Sequence, residues 1–453
     1  MKPKRDVLIG VSFLVLLALL ALGQKVLENR TVAEAAGVQA PMFEVDPLWP
    51  KPLPNHWILG NVIGVSADAQ DHIWIIHRGL GSLEAKEVYA TTDPPQAECC
   101  LPAPPVLEFD QAGNLIGHWG GQGGPGYEWP ESNHGITVDY KGNVWIGGNG
   151  RGTAPGATPA AAAGAGRGAA GRGAAATGGA GGAGAGAQAA PARGGAPNEG
   201  QVGGIVGYFH DSMIMKFTQD GKFLMQIGKP GGSRGSNDTE NLRLPAKIFV
   251  DKDTNEVYVA DGYGNHRVIV YDADTGKYKR HWGAYGNKPD DANLGAYNPD
   301  APPAQQFRNP VHCAELSKDG LVYVCDRVND RIQVFKKDGT FVKEVFIAKR
   351  TLGDGSVWDI AFSKDTQQKY IYLVDGANEK IYVMLRDSLE ILTSFGDGGR
   401  QPGQFYAVHS IAADSKGNVY TTETYRGQRV QRFMYKGIGT VAKMDQGTVW
   451  PKK

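Results

Sequence analysis

Pro310-Val311-His312-Cys313-Ala314-Glu315-Leu316-Ser317 runs into a Gly320 turn, then into Leu321-Val322-Tyr323-Val324-Cys325-Asp326, and after a polar break into Arg331-Ile332-Gln333-Val334-Phe335. Alternation and valine/aromatic enrichment read as short strands joined by tight turns. The same unit recurs along the chain. Its openings are Val62-Ile63-Gly64-Val65-Ser66, Asn133-His134-Gly135-Ile136-Thr137-Val138-Asp139, Ile248-Phe249-Val250-Asp251, Val357-Trp358-Asp359-Ile360-Ala361-Phe362 and Val408-His409-Ser410-Ile411-Ala412. Its third strands repeat as Arg267-Val268-Ile269-Val270-Tyr271 and Arg429-Val430-Gln431-Arg432-Phe433, and its outer strands end alike at Trp119-Gly120, Trp282-Gly283 and Phe395-Gly396. Six copies of a four-strand unit predict an all-β, six-bladed β-propeller. Met42-Phe43-Glu44-Val45 is a further strand, far from its partner in sequence, as expected of a segment that closes the ring on the last blade.

The remaining chain divides around this ring. Residues 1–23 read as a signal peptide or membrane-anchor helix: Lys2, Lys4 and Arg5 precede an apolar run from Val7 to Leu22. Either form exports the rest to the periplasm or the exterior. Residues 24–40 read as a tether and 41–453 as the propeller. Residues 150–200, within blade two, are almost wholly Ala, Gly, Pro and Arg and read as a disordered insert, because such a stretch cannot bury enough side chain to offset its ordering entropy. A second insert, 80–105, falls between strands of blade one and forms a loop over one face. Lys+Arg and Asp+Glu both number 47, which speaks against a nucleic-acid binder. The four cysteines are Cys99, Cys100, Cys313 and Cys325. Adjacent cysteines rarely bridge and no C-x-x-C spacing occurs. The pattern therefore argues against a disulfide framework and against a cysteine zinc site, leaving Cys313–Cys325 as a pairing that a hairpin would allow.

The chemistry enters at one register position. Blade by blade that position is Ile63, His134, Ala246, His312, Trp358 and His409. Histidine occupies every second blade, so it is not a repeat consensus residue. Alternate blades lie about 120° apart around the channel, and three imidazoles so placed converge on the axis, as a catalytic zinc ion with one open position requires. A lone channel histidine is ordinarily a hydrogen-bonded core residue; three in alternation point to metal. The loops after the second strands bring Arg78 in His77-Arg78-Gly79, Tyr263 in Asp261-Gly262-Tyr263, and Arg327 in Asp326-Arg327-Val328-Asn329 to the same mouth. Arginines there suit a substrate carboxylate, and a tyrosine between a metal and two arginines is set up to act as a base.

These residues carry a resemblance. The repeats look like NHL repeats, and the constellation resembles peptidyl-α-hydroxyglycine α-amidating lyase over roughly residues 41–436 outside the inserts. The resemblance implies zinc held by His134, His312 and His409, with Arg78, Tyr263 and Arg327 as catalytic residues. It implies cleavage of an α-hydroxyglycine-type amide to an amide and glyoxylate. It also implies a partner enzyme that hydroxylates the substrate, since no such domain adjoins this chain. The chain departs from the family pattern where the acidic calcium ligand after the last histidine is Ser410, which argues against calcium. A methionine is replaced by Ala407, and the half-cystine after the tyrosine is Gly264. A competing expectation is a non-catalytic exported propeller binding protein or glycan at its top face, since fold alone does not decide function.

Overall fold

The structure, a computed structural model, describes residues 37–151 and 209–451, together with Leu16, Leu20 and Gln24. The expected leader, most of the tether and nearly all of the Ala/Gly-rich insert lie outside the described residues. No helix among the described residues is long and apolar enough to cross a membrane.

Six four-stranded antiparallel sheets form the ring. Their inner strands are Val62–Ala67, Asn133–Val138, Ile248–Asp251, Val311–Leu316, Asp359–Phe362 and Val408–Ala413. Val38–Asp46 forms the outer strand of blade six, pairing with Val430–Val441, so that the two ends of the propeller share one sheet and the ring is closed. The strand begins at Val38, opposite Val441, slightly before the Pro41 boundary expected from composition.

The repeat's turn residue has a physical role. Asp139 Oδ1 accepts the backbone N–H groups of Lys141 and Asn143, and its Oδ2 accepts the indole N–H of Trp145 at 2.9 Å. Asp68 does the same for Trp74, and Asp414 for the Tyr420 hydroxyl. One carboxylate therefore shapes the turn and satisfies the polar tip of a buried aromatic on strand two. These aromatics pack between blades: Trp145 lies with Ile248, Val259 and Ile269 of blade three.

A second recurring device sits at the opposite end of strand two. Arg267 Nε donates to Asp261 at 2.8 Å, Arg331 Nε to Asp326 at 2.7 Å, and Arg429 Nε to Glu423 at 2.6 Å. An Nη2–H of each guanidinium reaches a backbone carbonyl of the loop arriving from the previous blade: Asn241 for Arg267, Ala304 for Arg331, Gln404 for Arg429.

Both cysteine pairs are disulfides: Cys313–Cys325 is the pairing the hairpin allowed, and Cys99–Cys100 is contrary to the sequence expectation. Cys313 and Cys325 are directly opposed across the first two strands of blade four, with Cα atoms 4.8 Å apart, inside the span a disulfide bridges. Cys99 pairs with its neighbour Cys100 in the blade-one loop.

Arg331→Met would leave Asp326 as an uncompensated charge in a fully buried position. Stability measured by denaturant unfolding should fall by about 3–5 kcal/mol; a loss of only a few tenths would show that the pair does not hold the blade.

Candidate active site

The three alternate-blade histidines meet. One nitrogen of each of His134, His312 and His409 lies within 4.8 Å of the others, and all three side chains are buried. Their ring centroids are 4.8 to 5.2 Å apart in edge-on contacts. The non-histidine register positions complete the wall: Ile63 and Ala246 line the same small space, and the Trp358 ring packs edge-on against His312 and His409.

Bulges aim these rings. The ladder skips a residue at Ile63, at His312 and at His409 on their inner strands, and at Gly135 beside His134. A bulge bends a strand locally and redirects a side chain. Gly135 has a φ of +75°, and a Cβ there would lie 2.3 Å from the Ala246 carbonyl oxygen. That oxygen accepts the Nδ1–H of His134 at 2.9 Å. The Trp358 carbonyl accepts the Nδ1–H of His312 in the same manner. Each bond fixes the tautomer and leaves Nε2 as a lone-pair donor toward the axis. His409 Nδ1 is buried without a hydrogen-bond partner.

Burial, reinforced by the Arg78 charge, lowers His134 to about 3. Burial first, and then Arg327 for His312 and the two other imidazoles for His409, hold both well below the usual histidine range. All three imidazoles are therefore neutral at pH 7, the state that ligates metal. Three buried, neutral, convergent imidazoles, one with an orphaned ring nitrogen, fit a metal ion, and the triad can hold one.

Tyr263 caps the triad. Its hydroxyl lies 3.1 Å from His134 Nε2 and 3.0 Å from His312 Nε2, and accepts from Arg327 Nη1 at 3.1 Å. The turn that delivers it passes against blade four so closely that a Cβ on Gly262 would lie 2.1 Å from the Val311 nitrogen. Arg327 stacks 4.4 Å from the Trp358 ring and lies 3.6 Å from Asp354. Arg78 donates to Asn149 Oδ1 at 3.0 Å and to the Asn133 carbonyl at 3.4 Å. Its turn is set by buried His77, whose Nδ1 accepts the N–H groups of Gly60 and Gly79 while Nε2–H donates to Pro104.

All six residues singled out from the sequence thus reach one mouth. Sequence reasoning missed Asn149, Asp354 and Tyr425. The Tyr425 hydroxyl donates to Asp354 at 3.3 Å, and Tyr425 holds a φ of +49°, a conformation rare for a non-glycine residue and worth attention near a site. Asp68, His72 and Glu108 form another group with metal-ligand spacing, on blade one. There, Asp68 is engaged by Trp74, and His72 Nδ1 lies 2.7 Å from Glu108.

The NHL repeat profile matches residues 242–271, which cover blade three's first three strands. The chain is 27% identical to peptidyl-glycine α-amidating monooxygenase B of Xenopus laevis over 194 residues, which make up 42% of this chain and 20% of that protein. It is 30% identical to NHL repeat-containing protein 3 of Homo sapiens over 132 residues, 29% of this chain and 33% of that one. It is 22% identical to peptidyl-α-hydroxyglycine α-amidating lyase 1 of Drosophila melanogaster over 235 residues, 48% of this chain and 39% of that one. The match thus spans a fifth to two fifths of the length of these relatives. Among solved structures, a streptogramin B lyase aligns over 88% of this chain and 98% of that one at 12% identity, with a TM-score of 0.42. The chain is a six-bladed β-propeller that carries an NHL repeat and resembles the amidating monooxygenases and the α-hydroxyglycine amidating lyase.

Proposed function

We propose that the protein is an exported, zinc-dependent lyase that cleaves an α-hydroxyglycine-type amide to the free amide and glyoxylate. The observation that carries this reading is the Tyr263 hydroxyl, held at 3.0–3.1 Å by His134, His312 and Arg327 over a buried three-histidine cup. The similarity to a protein named as an α-hydroxyglycine amidating lyase supports it.

His134, His312 and His409 would hold the zinc, which supplies Lewis-acid polarisation of a substrate oxygen. The chain's own residues do the rest. Arg78 and Arg327 flank the mouth with two guanidinium forks, the geometry that orients a carboxylate. Tyr263, entering the step as the phenolate beside the Arg327 guanidinium, takes the proton of the substrate's hydroxyl. The bond between the hydroxyl-bearing carbon and the amide nitrogen then breaks, that carbon becomes the aldehyde of glyoxylate, and the nitrogen receives the proton back. Asp354, 3.6 Å from Arg327, steadies that guanidinium when no substrate carboxylate is present. The hydroxylated substrate would come from a separate enzyme. The basic, then apolar, start of the sequence supports export and a membrane tether through residues 7–22.

Purified protein should hold one zinc per chain, measured by elemental analysis, and His312→Ala should lose it. Absence of stoichiometric zinc in the unaltered protein would sink the metal reading and leave a propeller that binds protein or glycan at this face. With an α-hydroxyglycine peptide as substrate, glyoxylate release should fall about 10²–10⁴-fold in kcat for Tyr263→Phe, the range expected on losing a proton-transfer group. Arg78→Gln should act chiefly on KM. Full activity of Tyr263→Phe would remove the tyrosine from the mechanism while leaving the metal site standing.

A further inference from the structure

One layer beneath the triad the channel is blocked by charge. Lys247 of blade three sends its ammonium across the axis to Asp359 of blade five, at 2.7 Å from Oδ1 and 2.9 Å from Oδ2, and to Glu315 of blade four at 2.9 Å. The hydroxyl of Ser410 on blade six donates to Asp359 Oδ2 at 2.6 Å, and the Ile411 N–H reaches the same oxygen at 3.1 Å. Four blades are tied at one point. Side-chain exposure is 12% for Lys247, 14% for Glu315 and 2% for Asp359. Burial alone would discharge the lysine, but the two carboxylates more than reverse this, and it stays an ammonium.

The placement of this cluster in sequence links it to the site. Lys247 directly follows Ala246, whose carbonyl holds His134 Nδ1. Asp359 directly follows Trp358, whose carbonyl holds His312 Nδ1. Ser410 directly follows His409. Two imidazoles are thus tied to the cluster through the carbonyl that precedes one of its members, and the third is its direct chain neighbour. Lys247 also lines both the small space under the triad and the cavity of about 330 Å³ that opens at the other end of the channel, so its side chain is the partition between them.

We infer that Lys247, with Asp359 and Glu315, forms the positioning set of the metal site: an internal ammonium that locks the two orienting carbonyls and closes the channel to a single mouth. This rests on the metal reading proposed above. A ligand's outer partners set its ring orientation, and their loss typically costs about 10–100-fold in metal affinity.

The test uses the full chain, with zinc affinity measured by competition against a chromophoric chelator and ligand geometry read from the electronic spectrum of the cobalt(II)-loaded protein. Lys247→Met, and the charge-free combination Lys247→Met/Glu315→Gln/Asp359→Asn, should each bind zinc about 10–100-fold more weakly and shift the cobalt spectrum. Arg386→Met breaks a salt bridge to Asp319, away from the triad, and should lower thermal stability while leaving affinity and spectrum unchanged. If Lys247→Met does not fold, the combination variant decides alone, because it leaves no buried charge unpaired. Unaltered protein that binds zinc, with the combination variant matching it in affinity and spectrum, overturns this inference and spares the metal reading. Unaltered protein that binds no zinc overturns both.

Discussion

The ring depends on one buried contact, repeated: a carboxylate at the end of a blade's second strand against an arginine at the start of its third. Asp261–Arg267, Asp326–Arg331 and Glu423–Arg429 are its three full instances. Such a pair is not a cheap source of stability, because both ions must be dehydrated. Its value here is positional. The same carboxylates accept the backbone N–H of Arg243, Arg308 and Tyr406 on the incoming loops. Those loops lead within a few residues to Ala246, His312 and His409. The contact that joins neighbouring blades thus sets where each inner strand begins, and so where the site residues stand.

On that frame the site is built by exceptions to regular pairing. Bulges at His312 and His409, and at Gly135 beside His134, turn strand residues toward the axis. Backbone carbonyls of the intervening blades then fix two of the rings. Electrostatics follows the same layering. Arg78 and Arg327 stand at the mouth, neutral imidazoles lie below them, and an ammonium–carboxylate cluster lies below those. The cations at the mouth help keep the histidines deprotonated and leave the entrance suited to an anion. Both long insertions, 80–105 and 150–200, interrupt the connection between second and third strands, the same connection that carries Arg78, Tyr263 and Arg327 in their blades.

Much of the site was legible because repeats supply their own alignment. Once the six openings are stacked, a histidine that appears only in alternate copies cannot be a folding requirement. The Tyr263 and Arg327 turns stand out in the same way, since each follows an apolar strand ending in aspartate. Other features were not decided by the sequence, for definite reasons. The hairpin allowed Cys313 and Cys325 to bridge, but only the antiparallel register places them opposite one another, and register is not printed in spacing alone. Asp354 comes from the loop that leads into blade five, which no repeat pattern aligns with the mouth; Tyr425 follows Glu423 by two residues as Tyr263 follows Asp261, so the stacked repeats did carry a signal for it. Lys247 reads as an ordinary polar residue before a strand; only ring closure brings it against Asp359, 112 residues away.

The sequence by itself determined the number of blades, the strand boundaries to within a few residues, and the registers at which histidines, arginines and tyrosine occur, because period-two alternation and turn chemistry are local properties of the chain. Tertiary structure decided which nitrogen of His134 and of His312 faces the axis, which carbonyls hold those two rings, that Tyr263 sits between them, and that a lysine closes the channel below. Those are contacts among different blades, and they exist only after the strand Val38–Asp46 has paired with Val430–Val441 and the ring has closed.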